Sequence, residues 1–210
     1  AAGRSTLPRA PSSRPPGGSD DNLVRSAFIW DHLEKAGVPD IRGVACFQGR
    51  FFTAVSIKQR YPGLPVVTYV NTTADVKAET DVCCTSANAV QVVEHVAKEW
   101  GVDRVILIPD EFLARNVARQ TDVKIIAWQG RCEVHERFTA ADILELREAY
   151  PNAEVLAHPE CPAEVLEVSD FAGSTAAMND YVLQRKPKQV VLITECSMAD
   201  NVAADAPETE

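Results

Sequence analysis

His158 and Glu160 follow the apolar run AEVLA at a spacing that sets an imidazole beside a carboxylate, a pairing suited to moving protons. Slid by 89 residues, the chain sets Tyr69 on His158, Asn71 on Glu160, Asp81 on Asp170, and Thr85-Ser86 on Ser174-Thr175. The stretches 75–90 and 164–179 read alike at that shift, and VILIPDEFLARNVA (105–118) meets VVLITECSMADNVA (190–203) at a shift of 85. A repeat that kept only apolar positions would report packing. This one also keeps polar positions just after apolar runs, where α/β sheets build ligand sites. The chain is therefore expected to bind something between two related halves.

Each candidate has a plain reading beside the functional one. Tyr69 could be a core aromatic, and His158 could satisfy a nearby backbone group. Thr85-Ser86 and Ser174-Thr175 each precede a helical pattern, so a hydroxyl could cap the helix while the free amides receive a phosphate or carboxylate. Two such pairs at matched positions point to a ligand with two anionic ends. The six cysteines are Cys46, Cys83, Cys84, Cys132, Cys161 and Cys196, and none forms a CxxC pair. Well-separated thiols without a secretion signal favour thiol or metal chemistry over disulfides, with buried, inert cysteine as the ordinary alternative. A zinc site from His158, Glu160 and Cys161 is disfavoured, because ligands this close in one run cannot all face one ion.

Strands and helices must hold these groups, and the sequence alternates them. LPVVTYV (64–70), RVILIPD, VKIIAWQG, AEVLAHPE and QVVLITE read as buried parallel strands. AVQVVEHVAKEWG, EFLARNVARQT, AADILELREAYP, PAEVLEVSD and 175–185 read as helices between them. The fold expected is α/β, with repeated three-layer αβα domains and parallel sheets. Residues 1–22, rich in Pro, Gly, Ser and Arg, are expected to be disordered. LVRSAFIWDHLEKAG, from Leu23, reads as a helix, and a further helix runs to Arg60. The net charge of −9 argues against a nucleic-acid partner. No run nears the roughly 20 apolar residues of a membrane span, and no signal-peptide core opens the chain, so a cytoplasmic location is expected.

Five stretches carry a family resemblance: YVNTTADVKAETDVCCTSANAV (69–90), PDEFLARNV (109–117), WQGRCEVHERF (128–138), HPECP (158–162) and GST (173–175). They resemble quinolinate synthase, the iron–sulfur transferase of NAD biosynthesis, along about Gln59 to Asn201. The resemblance implies three pseudo-symmetric αβα domains around a central site. A 4Fe-4S cluster would be held by one cysteine from each domain and would act as a Lewis acid. Residues 23–58 would stand unmatched in place of the first domain, 59–138 would form the second domain, and 139–210 the third without its end.

Cys132 would be one cluster ligand, and Cys46 is the nearest thiol to Gly43, where the first ligand is implied. The third would lie in a CPxM-like motif beyond Glu210. Tyr69, Asn71, His158 and Glu160 would face the substrate, Ser86, Ser174 and Thr175 would grip its phosphate or carboxylates, and Glu160, His158 and Tyr69 would be catalytic. The substrates implied are iminoaspartate, supplied by L-aspartate oxidase, and dihydroxyacetone phosphate. On this reading the chain as given is an incomplete and inactive synthase. The alternative is a non-catalytic protein binding a dicarboxylate or phosphate on the same fold.

Overall fold

The computed structural model describes residues 23–25 and 57–210. Two parallel sheets form. The first runs β1 (Leu23–Arg25), β5 (Lys124–Ala127), β4 (Arg104–Ile108), β2 (Val66–Tyr69), β3 (Val82–Cys84) in spatial order. The second runs β7 (Phe171–Ala172), β6 (Glu154–Ala157), β8 (Val190–Ile193). Besides the helical residues 57–60 and a 3-10 turn at His135–Arg137, seven α-helices follow β2: α1 (Ala74–Ala78), α2 (Ala89–Trp100), α3 (Glu111–Ala118), α4 (Ala140–Ala149), α5 (Ala163–Val168), α6 (Thr175–Arg185) and α7 (Ser197–Asp205).

Apolar runs without alternation make strands buried on both faces. Val67, Val105, Leu107 and Ile125 share one apolar cluster with Val93, Val96, Leu113 and Val117 of α2 and α3. Their chain neighbours Val66, Ile106 and Ile126 turn to the opposite face, against Ile57 and Val76. The second sheet divides likewise, with Val155 and Ile193 on one side beside Ile143 and Val165 and Leu156 on the other beside Met178 and Val182. Both units are three-layer αβα structures.

The sequence repeat is exact in the ladders. Val67 pairs with Val82 as Leu156 pairs with Phe171, and Val66 pairs with Ile106 as Val155 pairs with Val191. Asp81 and Asp170 explain their matched positions. The Val66 N–H donates to Asp81 at 2.8 Å and the Val155 N–H to Asp170 at 2.9 Å, so each carboxylate pins the start of its unit's first strand. Lys58 and Arg147, also 89 apart, meet these carboxylates at 2.8 Å each. The pair Asp81 and Asp170 is therefore structural.

One expectation fails. Leu23, read as the start of a helix, begins β1, which pairs in parallel with Ile125–Ala127 of β5. A ready-made sheet edge offers a short apolar run a ladder, and tertiary pairing overrides helical propensity. The first sheet thus reaches outside 59–138. The disorder expected for 1–22, the rest of that helix and Cys46 lie outside the described residues; 57–60 are helical as read.

Candidate functional site

Both units share one strand order, in which the first strand lies between the second and third. The chain reverses direction there, and side chains just past the carboxyl ends of the first and third strands flank the resulting crevice. Tyr69, as the last residue of β2, and Asp110 flank it in the first unit, and His158 and Thr194 in the second. The loop after β5 adds Cys132 and His135.

These groups converge across the two units. The His158 ring Nε2 lies 3.3 Å from Ser86 Oγ, and His135 Nε2 lies 3.1 Å from the Thr194 hydroxyl. The two imidazoles stack at 4.7 Å between ring centroids. Glu160 is 1 % exposed, and its Oε2 sits 3.3 Å from His158 Nδ1 and 3.4 Å from His135 Nδ1. The Glu160 backbone N–H donates to His158 Nδ1 at 3.3 Å. That nitrogen is therefore an acceptor, and a neutral His158 carries its proton on Nε2, toward Ser86.

Asp110 organises the Cys132 loop. One carboxylate oxygen accepts the Leu113 N–H at 2.6 Å and caps α3, while the other accepts the Cys132 N–H at 3.0 Å. Burial first, then the Glu160 carboxylate, holds Asp110 well above the usual carboxylate range. Gly130 lets the loop cross closely: the Glu111 N–H donates to its carbonyl at 2.7 Å, and a Cβ there would stand 2.4 Å from the Pro109 carbonyl oxygen. No side chain fits without moving backbone.

Of the residues singled out in the sequence, His158, Glu160 and Ser86 meet directly, and Cys132 joins them through Glu160. Cys132, His135 and Glu160 offer one sulfur, one nitrogen and one oxygen, all within 4.8 Å of one another. Tyr69 is buried in the apolar cluster with Cys84 and Val93, and Asn71 is half-buried two residues further on. Ser174 caps α6, accepting the Ala177 N–H at 3.2 Å, and Thr175 is exposed as its first residue. In the first unit no side chain caps α2, and Asn88 instead accepts from the Thr85 N–H and hydroxyl at 2.7 and 3.0 Å in the turn before it.

Cys161 turns away, its thiol donating to the Ile193 carbonyl at 3.6 Å and pushed up to about 12 by burial. Cys84 is likewise buried and pushed up to about 12, so both stay protonated thiols at neutral pH. Cys83 and Cys196 are exposed. Asp110, His135 and Thr194 were not among the candidates. His135 had a usable signal, since Cys132 and His135 stand in a C-x-x-H spacing within one motif.

The family model described as Quinolinate synthetase A protein matches residues 50–210. The quinolinate synthase of Caulobacter vibrioides is 72% identical over 191 residues, covering 90% of this chain and 52% of that protein. Quinolinate synthase 1 of Mesorhizobium japonicum is 61% identical over 191 residues, covering 90% of this chain and 57% of its own length. The quinolinate synthase of Xylella fastidiosa (strain Temecula1) is 60% identical over 191 residues, 90% of this chain and 55% of the relative. Matches of this length take in residues ahead of Gln59, where the motif resemblance begins. The chain spans about half the length of the curated relatives it matches. Among the described residues, no helix is long and apolar enough to cross a membrane.

Proposed function

Because this chain belongs to the quinolinate synthetase A family, we propose that it serves in condensing iminoaspartate with dihydroxyacetone phosphate to quinolinate, in the cytoplasm, as a step of NAD biosynthesis. L-aspartate oxidase would supply the iminoaspartate. The observation that carries this reading is the convergence of Glu160, His158, His135 and Ser86 from two units on one buried point. A binding protein needs hydrogen-bond donors and charge, but it does not need a 1 % exposed carboxylate between two imidazoles. That arrangement suits proton transfer, which condensation with loss of water requires at several carbons.

Glu160 is the group that takes and returns protons. The imidazoles on either side set its position, and the stacking of their rings leaves little freedom to the carboxylate. His158 aims an Nε2 proton toward Ser86, so this pair presents donors to a substrate oxygen. Tyr69, the last residue of β2, and Asn71 just past it would face the same substrate from the other unit. Ser174 and Thr175 open α6, whose first amides favour an anion.

The 4Fe-4S cluster that the family resemblance implies would take three thiolates, one short of the usual four, leaving one iron open. Cys132, half-buried with its N–H held by Asp110, fits as one of them; the groups beside it among the described residues are His135 and Glu160. The cluster would supply an iron that polarises a substrate oxygen.

Two outcomes test the reading. After anaerobic reconstitution with iron and sulfide, the full-length protein carrying this sequence should form quinolinate from the two substrates, and Cys132→Ala should abolish it. Product at equal rates with and without Cys132 would remove that residue from the site. The paired substitution Ser174→Ala and Thr175→Ala should raise KM for dihydroxyacetone phosphate about tenfold, roughly one charge-assisted hydrogen bond's worth. Losing the Ser174 cap should also cost about 1 kcal/mol of stability. An unchanged KM beside a lowered melting temperature would leave these hydroxyls a capping role alone.

A further inference from the structure

The His135 ring is flanked at both nitrogens by groups from outside its own loop. Nε2 stands 3.1 Å from the Thr194 hydroxyl, and Nδ1 faces Glu160 Oε2 at 3.4 Å. His158 repeats the arrangement, with Nε2 3.3 Å from the Ser86 hydroxyl and Nδ1 3.3 Å from the same Glu160 oxygen. The two arms cross between units. A hydroxyl of the first unit meets the imidazole of the second, and a hydroxyl of the second meets the imidazole on the loop after β5. Ser86 lies in one of the stretches that carry the family resemblance, and Thr194 lies in none of them.

We propose that Thr194 is a positioning residue of this site, whose hydroxyl decides which way the His135 ring is turned. That role rests on the synthase reading, in which Glu160 moves protons and the imidazoles set its place. Stacking on His158, at 4.7 Å between centroids and 20° between planes, fixes the plane of the His135 ring but not its direction. A histidine ring has two orientations in one plane, related by a half-turn about its bond to Cβ. The half-turned ring would set carbon atoms where Nε2 and Nδ1 now face Thr194 and Glu160. A hydroxyl both donates and accepts, so Thr194 selects the observed orientation whichever ring nitrogen carries the proton.

The constraint runs from Thr194 to His135, because Thr194 is the better anchored of the two. It follows β8 directly, and the Ile193 carbonyl before it accepts the His158 N–H at 3.1 Å and the Cys161 thiol at 3.6 Å. Just after it, the Glu195 carboxylate accepts the Ser197 N–H at 2.9 Å at the start of α7. His135 instead opens the 3-10 turn His135–Arg137, which has no side-chain cap. Both side chains are buried, Thr194 at 6 % and His135 at 5 % exposed, so little water is at hand to replace the hydroxyl.

Turnover and ring signals test the role together. In the full-length protein carrying this sequence, reconstituted with iron and sulfide, Thr194→Val should lower kcat about tenfold while KM for either substrate stays within about twofold. Thr194→Ala, without the second methyl of valine, should do the same. Thr194→Ser keeps the hydroxyl and should hold kcat within about twofold of the parent. Paired with His135→Gln, Thr194→Val should lower kcat no further than His135→Gln alone, since both act through one ring. Proton–nitrogen correlation spectra of the metal-free 210-residue chain should show His135 ring signals shifted or doubled in Thr194→Val and restored in Thr194→Ser. Thr209→Val, which removes a hydroxyl bonded to the Pro187 carbonyl, should leave them in place. Unmoved His135 signals in Thr194→Val, an unchanged kcat, or losses that multiply in the double variant would each overturn the role. A parent that makes no quinolinate would overturn the synthase reading, and the ring signals would then decide by themselves whether Thr194 turns His135.

Discussion

Glu160→Gln should lower the turnover of quinolinate formation at least about a hundredfold while leaving the protein as stable as before, or more so. The two effects have one cause. Gln keeps the size of Glu at a position 1 % exposed, so no cavity opens. Its amide can hydrogen-bond the ring nitrogens that face Glu160 Oε2, His135 Nδ1 at 3.4 Å and His158 Nδ1 at 3.3 Å. An uncharged amide at this buried point also costs less to desolvate than a carboxylate. What is lost is the capacity to take a proton and return it, and no neighbour substitutes for it. Initial rates and thermal melts on the same reconstituted preparation check both halves. Turnover within a few-fold of the parent would remove Glu160 from proton transfer, and a large fall in melting temperature would make its role structural.

How much of this site was readable in the residues follows from what kind of interaction each makes. Strands and helices of both units lay open because a strand buried on two faces must be continuously apolar, as VVTY and RVILI are. The repeat was legible for the same reason, and its polar matches pointed to the crevice. They did so unevenly. Asp81 and Asp170 match because each pins a strand, so their equivalence carries no chemistry. Tyr69 and His158 match in position, yet one joins an apolar cluster and the other a polar one. Repeat position specifies where a side chain leaves the sheet, and the opposing unit decides what it meets.

The residues that sequence missed are those defined by that opposing surface. His135 acquires its role from Thr194, 59 residues on, and from Glu160. No local pattern encodes such a meeting, though the C-x-x-H spacing marked His135 as a partner for Cys132. β1 was misread for a related reason, since Leu23–Arg25 pairs with a strand a hundred residues away along the chain.

Asp110 is the other residue whose weight only the fold discloses, and Asp110→Ala should be the most destabilising single change in the site. Alanine removes the cap of α3, made by the Leu113 N–H at 2.6 Å, a loss of about 1 kcal/mol. It also strands the Cys132 N–H, now donating at 3.0 Å, at a further cost of about 1–2 kcal/mol in a partly buried setting. One term opposes these. The carboxyl is 1 % exposed and held above the usual range first by burial and then by Glu160, so deleting it relieves some unfavourable burial. The hydrogen bonds prevail, because two N–H groups lose their acceptor at once, and the net cost is about 2 kcal/mol. For a structured region of this size that lowers the melting temperature by roughly 4–8 °C. Asp110→Asn separates the contributions. Its single carbonyl oxygen can keep the α3 cap, but its amide then opposes the Cys132 N–H with another donor. Its melting temperature should fall between parent and alanine, and alkylation of Cys132 should quicken in both variants as the loop loosens. Melting temperatures equal to the parent in both variants would mean that neither bond holds the loop, and Asp110 would then have no part in presenting Cys132.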